Sequence, residues 1–179
     1  NRWITVGTDL IDSENAVDLA RRHENLYAAI GIHPHEAAAV TDEHISRLSS
    51  LAQHPRVVAI GETGLDYHYN YSEPLAQQKV FKQHIELSLE LDLPLIIHSR
   101  EAFEQTIRIL ESQTALPSRI VFHCFSGSAE QARTLVDKGF YLSFTGVVTF
   151  KNAQSVRRAA AAVPANRIMV ETDCPFMSP

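Results

Sequence analysis

Cysteine, glycine and tryptophan are scarce in this chain of 179 residues, at two, seven and one. Two cysteines far apart in sequence, Cys124 and Cys174, make no disulfide framework, so a reducing, cytoplasmic setting is expected. So few glycines exclude collagen-like repeats and Gly-rich linkers. No run approaches the roughly 20 apolar residues that span a bilayer, and no charged-then-apolar leader stands at the start, so the expectation is a soluble chain with no membrane partner. Surplus positive charge is missing as well. Sixteen Lys and Arg against twenty-one Asp and Glu give a formal charge of −5. Without a global basic field, a nucleic acid would have to be held by local cations or bound metal.

What is present is the balance of a globular domain, with 45% hydrophobic residues and no low-complexity tract or charge block to divide it. One domain over 1–179 is expected. Apolar runs recur at Trp3–Val6, Leu26–Ile32, Val57–Ile60, Leu93–Ile97, Ile120–Phe122, Phe140–Phe144 and Ile168–Val170, seven candidate strands. Helix-like stretches lie between them. Ser128 with Gln131 forms a capping box, Lys138-Gly139 ends the same helix, and Ser72 with Pro74 opens a long one. Thr41, Ser99 and Asn152 are weaker candidate caps. Regular alternation predicts a parallel sheet covered by helices, either open and doubly wound or closed as a barrel. The first strand runs into Gly7-Thr8-Asp9-Leu10 rather than a glycine-rich phosphate turn, which favours the barrel.

Polar residues stand where the apolar runs end: His33 and His35, Glu62, His98, His123, and Glu171 with Asp173. C-terminal strand ends are where barrel enzymes carry their chemistry, so these residues are expected to converge on one site. A lone His98 reads most simply as a satisfied core histidine; alongside Glu62 and His123 it reads as a metal ligand. Two imidazoles and a carboxylate suit Zn²⁺, Mn²⁺ or Fe²⁺, and further carboxylates would tolerate Mg²⁺. His33-Pro34-His35 is either a His-x-His ligand pair or a turn with His35 capping the next loop. Asp173 is the better candidate to handle a proton or bind metal, with turn capping as its alternative, and Glu171 is the better anchor. Ser126-Gly127 precedes a helix N-terminus, which suits a phosphate or is a plain capping turn. Arg100 offers a bidentate cation to such an anion or an ion pair to Glu101 or Glu104. His68 reads as a loop contact, and His23, His44, His54 and His84 as solvated surface residues.

The ordered motifs GIHPH, GETGLDYHY, LPLIIHSRE, HCFSGS, GFYLSFTGVVTFKNA and VETDCP resemble those of the TatD family of metal-dependent deoxyribonucleases, from about Ile4 to Pro179. The resemblance implies an amidohydrolase-like (β/α)8 TIM-type barrel that hydrolyses phosphodiester bonds of DNA around two divalent ions, Mg, Mn or Zn. It implies metal ligands at Glu62, His98, His123 and Asp173. Glu62 and Asp173 then become the catalytic carboxylates, and His33, Arg100, Ser126 and Gly127 the phosphate-holding residues. Two such ions would bring the acidic chain close to neutrality, so binding of a polyanion would be local, metal-dependent and salt-sensitive.

Members of that family also resemble one another in an opening His-x-His strand and in C-terminal helices. This chain starts at what looks like the second strand and is shorter than the roughly 250 residues of a complete barrel. The expectation is therefore seven of eight strands, an incompletely represented enzyme with only the Glu62, His98 and His123 side of the centre. Such an open sheet would leave unpaired edges and exposed apolar surface. Two other functions compete. One is a metallo-hydrolase of an ester or amide, such as an aminoacyl-tRNA ester, and the other is a non-catalytic interaction module. No segment marks an obligate protein partner.

Overall fold

All seven apolar runs form strands. A computed structural model describes residues 1–69 and 71–174 and divides into two compact units, Asn1–Ser118 and Arg119–Pro179. The first unit carries β1 (Trp3–Val6), α1 (Leu10–Arg22), β2 (Leu26–Ile30), a 3-10 turn (Pro34–Ala39), α2 (Asp42–Leu51), β3 (Val57–Asp66), α3 (Pro74–Glu90), β4 (Leu95–Arg100) and α4 (Phe103–Glu111). Its strands pair in parallel in chain order, β1 with β2, β2 with β3 and β3 with β4. The second unit carries β5 (Ile120–Phe122), α5 (Ala129–Asp137), β6 (Tyr141–Phe144), a 3-10 turn (Gly146–Thr149), α6 (Gln154–Ala162) and β7 (Ile168–Val170). Here β5 pairs with β6 and β6 with β7, again in parallel.

Parallel strands joined by helices must bury both faces, and the β-branched runs supply the apolar surface for it. In the first unit Ala29, Ile30, Ile60, Leu95 and Ile97 are fully buried, and α3, packed on β3 and β4, buries Phe81 and Ile85. Helix α1 is fixed by its own chemistry. Asp9 accepts from the Asp12 amide at 2.7 Å, which caps the first turn. Ser13, fully buried, accepts from the Gly31 amide at 3.1 Å just past the end of β2.

β3 runs six residues beyond the expected Val57–Ile60, through GETGLD to Asp66. The motif reads as polar and turn-like, yet the extended backbone is imposed by contact with β4. Gly64 sits opposite His98 with φ of +138°, and a Cβ there would lie 2.1 Å from the His98 carbonyl oxygen. Only glycine allows that approach.

The Ser128–Gln131 capping box forms as expected, with Gln131 Oε1 accepting from the Ser128 amide at 2.9 Å and Ser128 Oγ from the Gln131 amide at 3.2 Å. Gly139 closes α5 with φ of +83°. Three expected caps are corrected. Helices α3, α4 and α6 start from Glu73, Ala102 and Ala153, none using a side-chain cap bond. Ser72 instead donates to the His35 carbonyl at 2.6 Å, and Ser99 bonds Thr106 at 3.1 Å.

Candidate metal centre

Three consecutive strands of the first unit deliver the donors. The chain leaving β2 passes Gly31 and Ile32 to His33, whose amide donates to the Thr8 carbonyl at 2.7 Å. His33 Nδ1 accepts from the His35 amide at 3.2 Å, which fixes the ring and leaves Nε2 to face Glu62 Oε1 at 3.4 Å. Glu62 comes from the middle of β3 and is 8% exposed. His98 comes from β4, with Nδ1 2.9 Å from the same Glu62 oxygen. The ligand atoms of His33, Glu62 and His98 all lie within 4.8 Å of one another.

Behind this trio stands Asp66, fully buried. Its Oδ2 is 3.0 Å from both His98 Nε2 and His35 Nε2, and its Oδ1 accepts the amides of His68 at 3.0 Å and Tyr69 at 3.2 Å. Burial alone would raise the Asp66 carboxyl. The His98 and His35 rings and the Tyr69 amide overcome that and hold it well below the usual carboxylate range. An ionised Asp66 accepts only, so His98 donates from Nε2 and presents Nδ1 toward Glu62 and His33. A carboxylate behind the far nitrogen of a ligating histidine is how metal sites set the tautomer and ring angle. Burial lowers the His33 pKa, the Glu62 carboxylate opposes this, and the nearby His98 and His35 rings reinforce it. With Nδ1 accepting the His35 amide, the neutral His33 ring carries its proton on Nε2, toward Glu62, and that proton must be given up or moved to Nδ1 when Nε2 takes a cation. Two imidazoles and one carboxylate, with an oriented second partner, fit a divalent first-row ion.

The second unit has its own polar cluster at its strand ends. Glu171, after β7, accepts from Ser143 Oγ at 2.8 Å and from the Cys124 amide at 2.5 Å, and its Oε2 lies 3.7 Å from His123 Nδ1. Burial would raise its pKa, but the His123 ring, the Ser143 hydroxyl and the Cys124 amide outweigh it and leave Glu171 below its usual value. Asp173, two residues on, adopts a left-handed backbone with φ of 54°. Burial pushes the Cys124 thiol up, with the Asp173 and Glu171 charges adding to the effect and His123 opposing it. Neither cysteine is in a disulfide.

A family model described as TatD related DNase matches residues 1–179. The chain belongs to the TatD family of metal-dependent hydrolases. It is 43% identical over 178 residues to the uncharacterized metal-dependent hydrolase YabD of Bacillus subtilis, covering 99% of this chain and 70% of that one. It is 38% identical over 180 residues to the 3'-5' ssDNA/RNA exonuclease TatD of Cronobacter sakazakii, covering 100% of this chain and 68% of that one. The crystal structure of YJJV, a TatD homologue from Escherichia coli, superposes with a TM-score of 0.91 at 31% identity, over 98% of this chain and 68% of that one. The family expected from the six motifs is thereby established, with its α/β fold of the (β/α)8 TIM-type class and its character as a metal-dependent hydrolase.

Within this TatD-family chain, the residues singled out from sequence fall as follows. Glu62 and His98 meet, and His33, expected among the phosphate-holding residues, lies at ligand distance from both. His35 contacts Asp66 rather than a loop cap. His68 makes the expected loop contact, to Glu101 at 2.8 Å, and the Arg100 guanidinium lies 4.8 Å from the centre of the Tyr69 ring. His123 and Asp173 stand at strand ends of the second unit, and Ser126 and Gly127 in the turn before α5. Of the sequence segments that carried the resemblance, Pro175–Pro179 lies outside the described residues. No helix among the described residues is long and apolar enough to cross a membrane.

One expectation is corrected. His84 is fully buried rather than solvated. It donates from Nδ1 to the Val80 carbonyl at 2.8 Å and accepts the Ile32 amide on Nε2 at 3.0 Å, which ties α3 to the residue preceding His33. Asp66 and Gln77 were missed altogether. Gln77 is satisfied on every side, accepting from the Asp66 amide at 2.8 Å and donating to the carbonyls of Asp66 and Ser72 at 2.9 and 2.8 Å.

Proposed function

We propose that this chain hydrolyses phosphodiester bonds of DNA at a divalent-cation centre held by His33, Glu62 and His98. The observation that carries the reading is the trio itself, three donors from three successive strands with Asp66 orienting one of them. Its relatives' names add weight, since one is called a 3'-5' ssDNA/RNA exonuclease. When bound, a divalent ion lowers the pKa of water and draws charge from a phosphoryl oxygen.

The chain's own residues do the rest. Asp66 holds His98 in the tautomer that offers Nδ1, and the buried Glu62 supplies the negative charge that a cation needs. Arg100, exposed at the end of β4, meets phosphate oxygens. To the second unit we assign His123 as a further ligand and Asp173 as the carboxylate that orients the attacking water and takes its proton. As the water oxygen bonds to phosphorus, the phosphorus–oxygen ester bond breaks and the leaving oxygen is protonated. Ser126 and Gly127 are assigned to phosphate, two ions of Mg, Mn or Zn to the complete centre, and both units to one hydrolase domain. A cytoplasmic setting suits a chain whose two cysteines stand far apart in sequence.

The test is nucleotide release from single-stranded and duplex DNA, with and without added divalent ion, beside deacylation of a charged transfer RNA. Metal-dependent release from DNA that Glu62→Gln abolishes is the expected result. Deacylation without DNA cleavage would move the reading to an ester hydrolase. Neither activity, with Glu62→Gln indistinguishable from wild type, would leave a non-catalytic module.

A further inference from the structure

Beside the proposed cation centre lies a cluster of rings that hydrolysis itself does not require. Tyr69 and Tyr71, in the segment between β3 and α3, are parallel to within 2° with centroids 5.5 Å apart. They are 44% and 68% exposed, so the stacked pair is open to solvent. His35 meets both edge-on, at 5.6 and 4.8 Å, and His35 is itself 4.2 Å from the ring of His33. The tyrosines are thus two ring-to-ring steps from the candidate ligands, the scale of one or two nucleotides of a single strand.

The pair is held in place rather than left to drift. Asp66 Oδ1 accepts the Tyr69 amide on one side. On the other, Ser72 Oγ donates to the His35 carbonyl at 2.6 Å and accepts the Ala38 amide at 3.0 Å. The same Asp66 carboxylate bonds His98 through its second oxygen, so one buried group sets the position of a cation ligand and of the ring pair together. Arg100 lies over Tyr69. Cation, parallel rings and a neighbouring phosphate-handling centre are the parts by which proteins hold unpaired bases, through stacking and backbone charge.

The geometry points to a base-stacking subsite: Tyr71, backed by Tyr69, receives an unstacked base of a single-stranded nucleic acid while Arg100 meets the adjoining phosphate. The inference rests on the nuclease reading and deepens it by naming residues of this chain that hold a base of the substrate. A duplex keeps its bases stacked and paired, so it must fray before the tyrosines can act. Stacking tolerates all four bases, since each offers a flat face, and the subsite therefore selects strandedness rather than sequence.

The test uses short single-stranded DNA with either a natural base or an abasic site at the nucleotide next to the cleaved bond, together with fluorescence anisotropy of the same oligonucleotides. The wild type should show a KM lower by about 10-fold for the natural substrate than for the abasic one. In Tyr71→Ala that ratio should fall to near one, while Tyr71→Phe keeps it. Cleavage by the wild type with the same natural-to-abasic ratio in Tyr71→Ala would overturn the subsite and leave the nuclease reading standing. Neither cleavage nor binding of any oligonucleotide by the wild type would overturn both.

Discussion

His84 gives the sharpest link between a buried group and the position of the proposed centre. Burial pushes its pKa down from an ordinary 6.5 to about 4, with the bond to the Val80 carbonyl opposing. The unfolded chain therefore binds a proton here at a higher pH than the folded one. Stability is unaffected above 6.5, falls as pH drops through the window between 6.5 and about 4, and levels off below it. At about 1.4 kcal/mol per unit, the loss reaches about 2 kcal/mol at pH 5. His84→Leu removes the titration and strands the Ile32 amide, which costs about 1–3 kcal/mol at neutral pH. Urea unfolding of both proteins between about pH 7.5 and 5 checks the reasoning. The variant should be the less stable at neutral pH, and the gap should close by about 2 kcal/mol at pH 5. The lowered His33 titrates in both proteins and cancels in the difference. A gap that stays constant across the range would refute the assignment of His84 as a neutral, buried ring.

Other outcomes follow from the same structure. Asp66→Asn puts an amide nitrogen where donors converge and disturbs the His98 ring, so divalent-ion affinity measured by titration calorimetry should fall by about 10- to 100-fold. Gly64→Ala forces a Cβ onto the His98 carbonyl at an unfavourable φ and should cost at least about 3 kcal/mol in denaturant unfolding, with metal affinity falling alongside. Ser13→Ala should cost about 1–3 kcal/mol, because the buried Gly31 amide loses its acceptor; thermal unfolding reads this directly.

The strand positions were legible because β-branched runs announce themselves, and Glu62 and His98 were legible because chemistry sits at strand ends. The extension of β3 to Asp66 was not, since GETGLD looks like a turn until β4 is known to press against Gly64. Asp66 was hidden with it: only once the extended run is known do Glu62 and Asp66, four residues apart, fall on one face. His84 did carry a signal. Gln77, Val80, Phe81, His84, Ile85 and Ser88 follow helical spacing and are all buried, so polar residues there belonged to the inner face. Residue type misled where position was informative. The family resemblance associates His33 with phosphate, while Pro34 leaves the His-x-His pair open to a turn reading. A 3-10 turn does begin there, and it is that turn's first amide bonds that aim the His33 ring at Glu62.

Calorimetric titration of Mn²⁺ or Zn²⁺ into the wild type and into Glu62→Gln and His98→Ala tests the centre most directly, with circular dichroism to establish that each variant is folded. A site in the wild type weakened by on the order of 100-fold in each folded variant is the predicted result. Folded variants that bind with the affinity and stoichiometry of the wild type would contradict it.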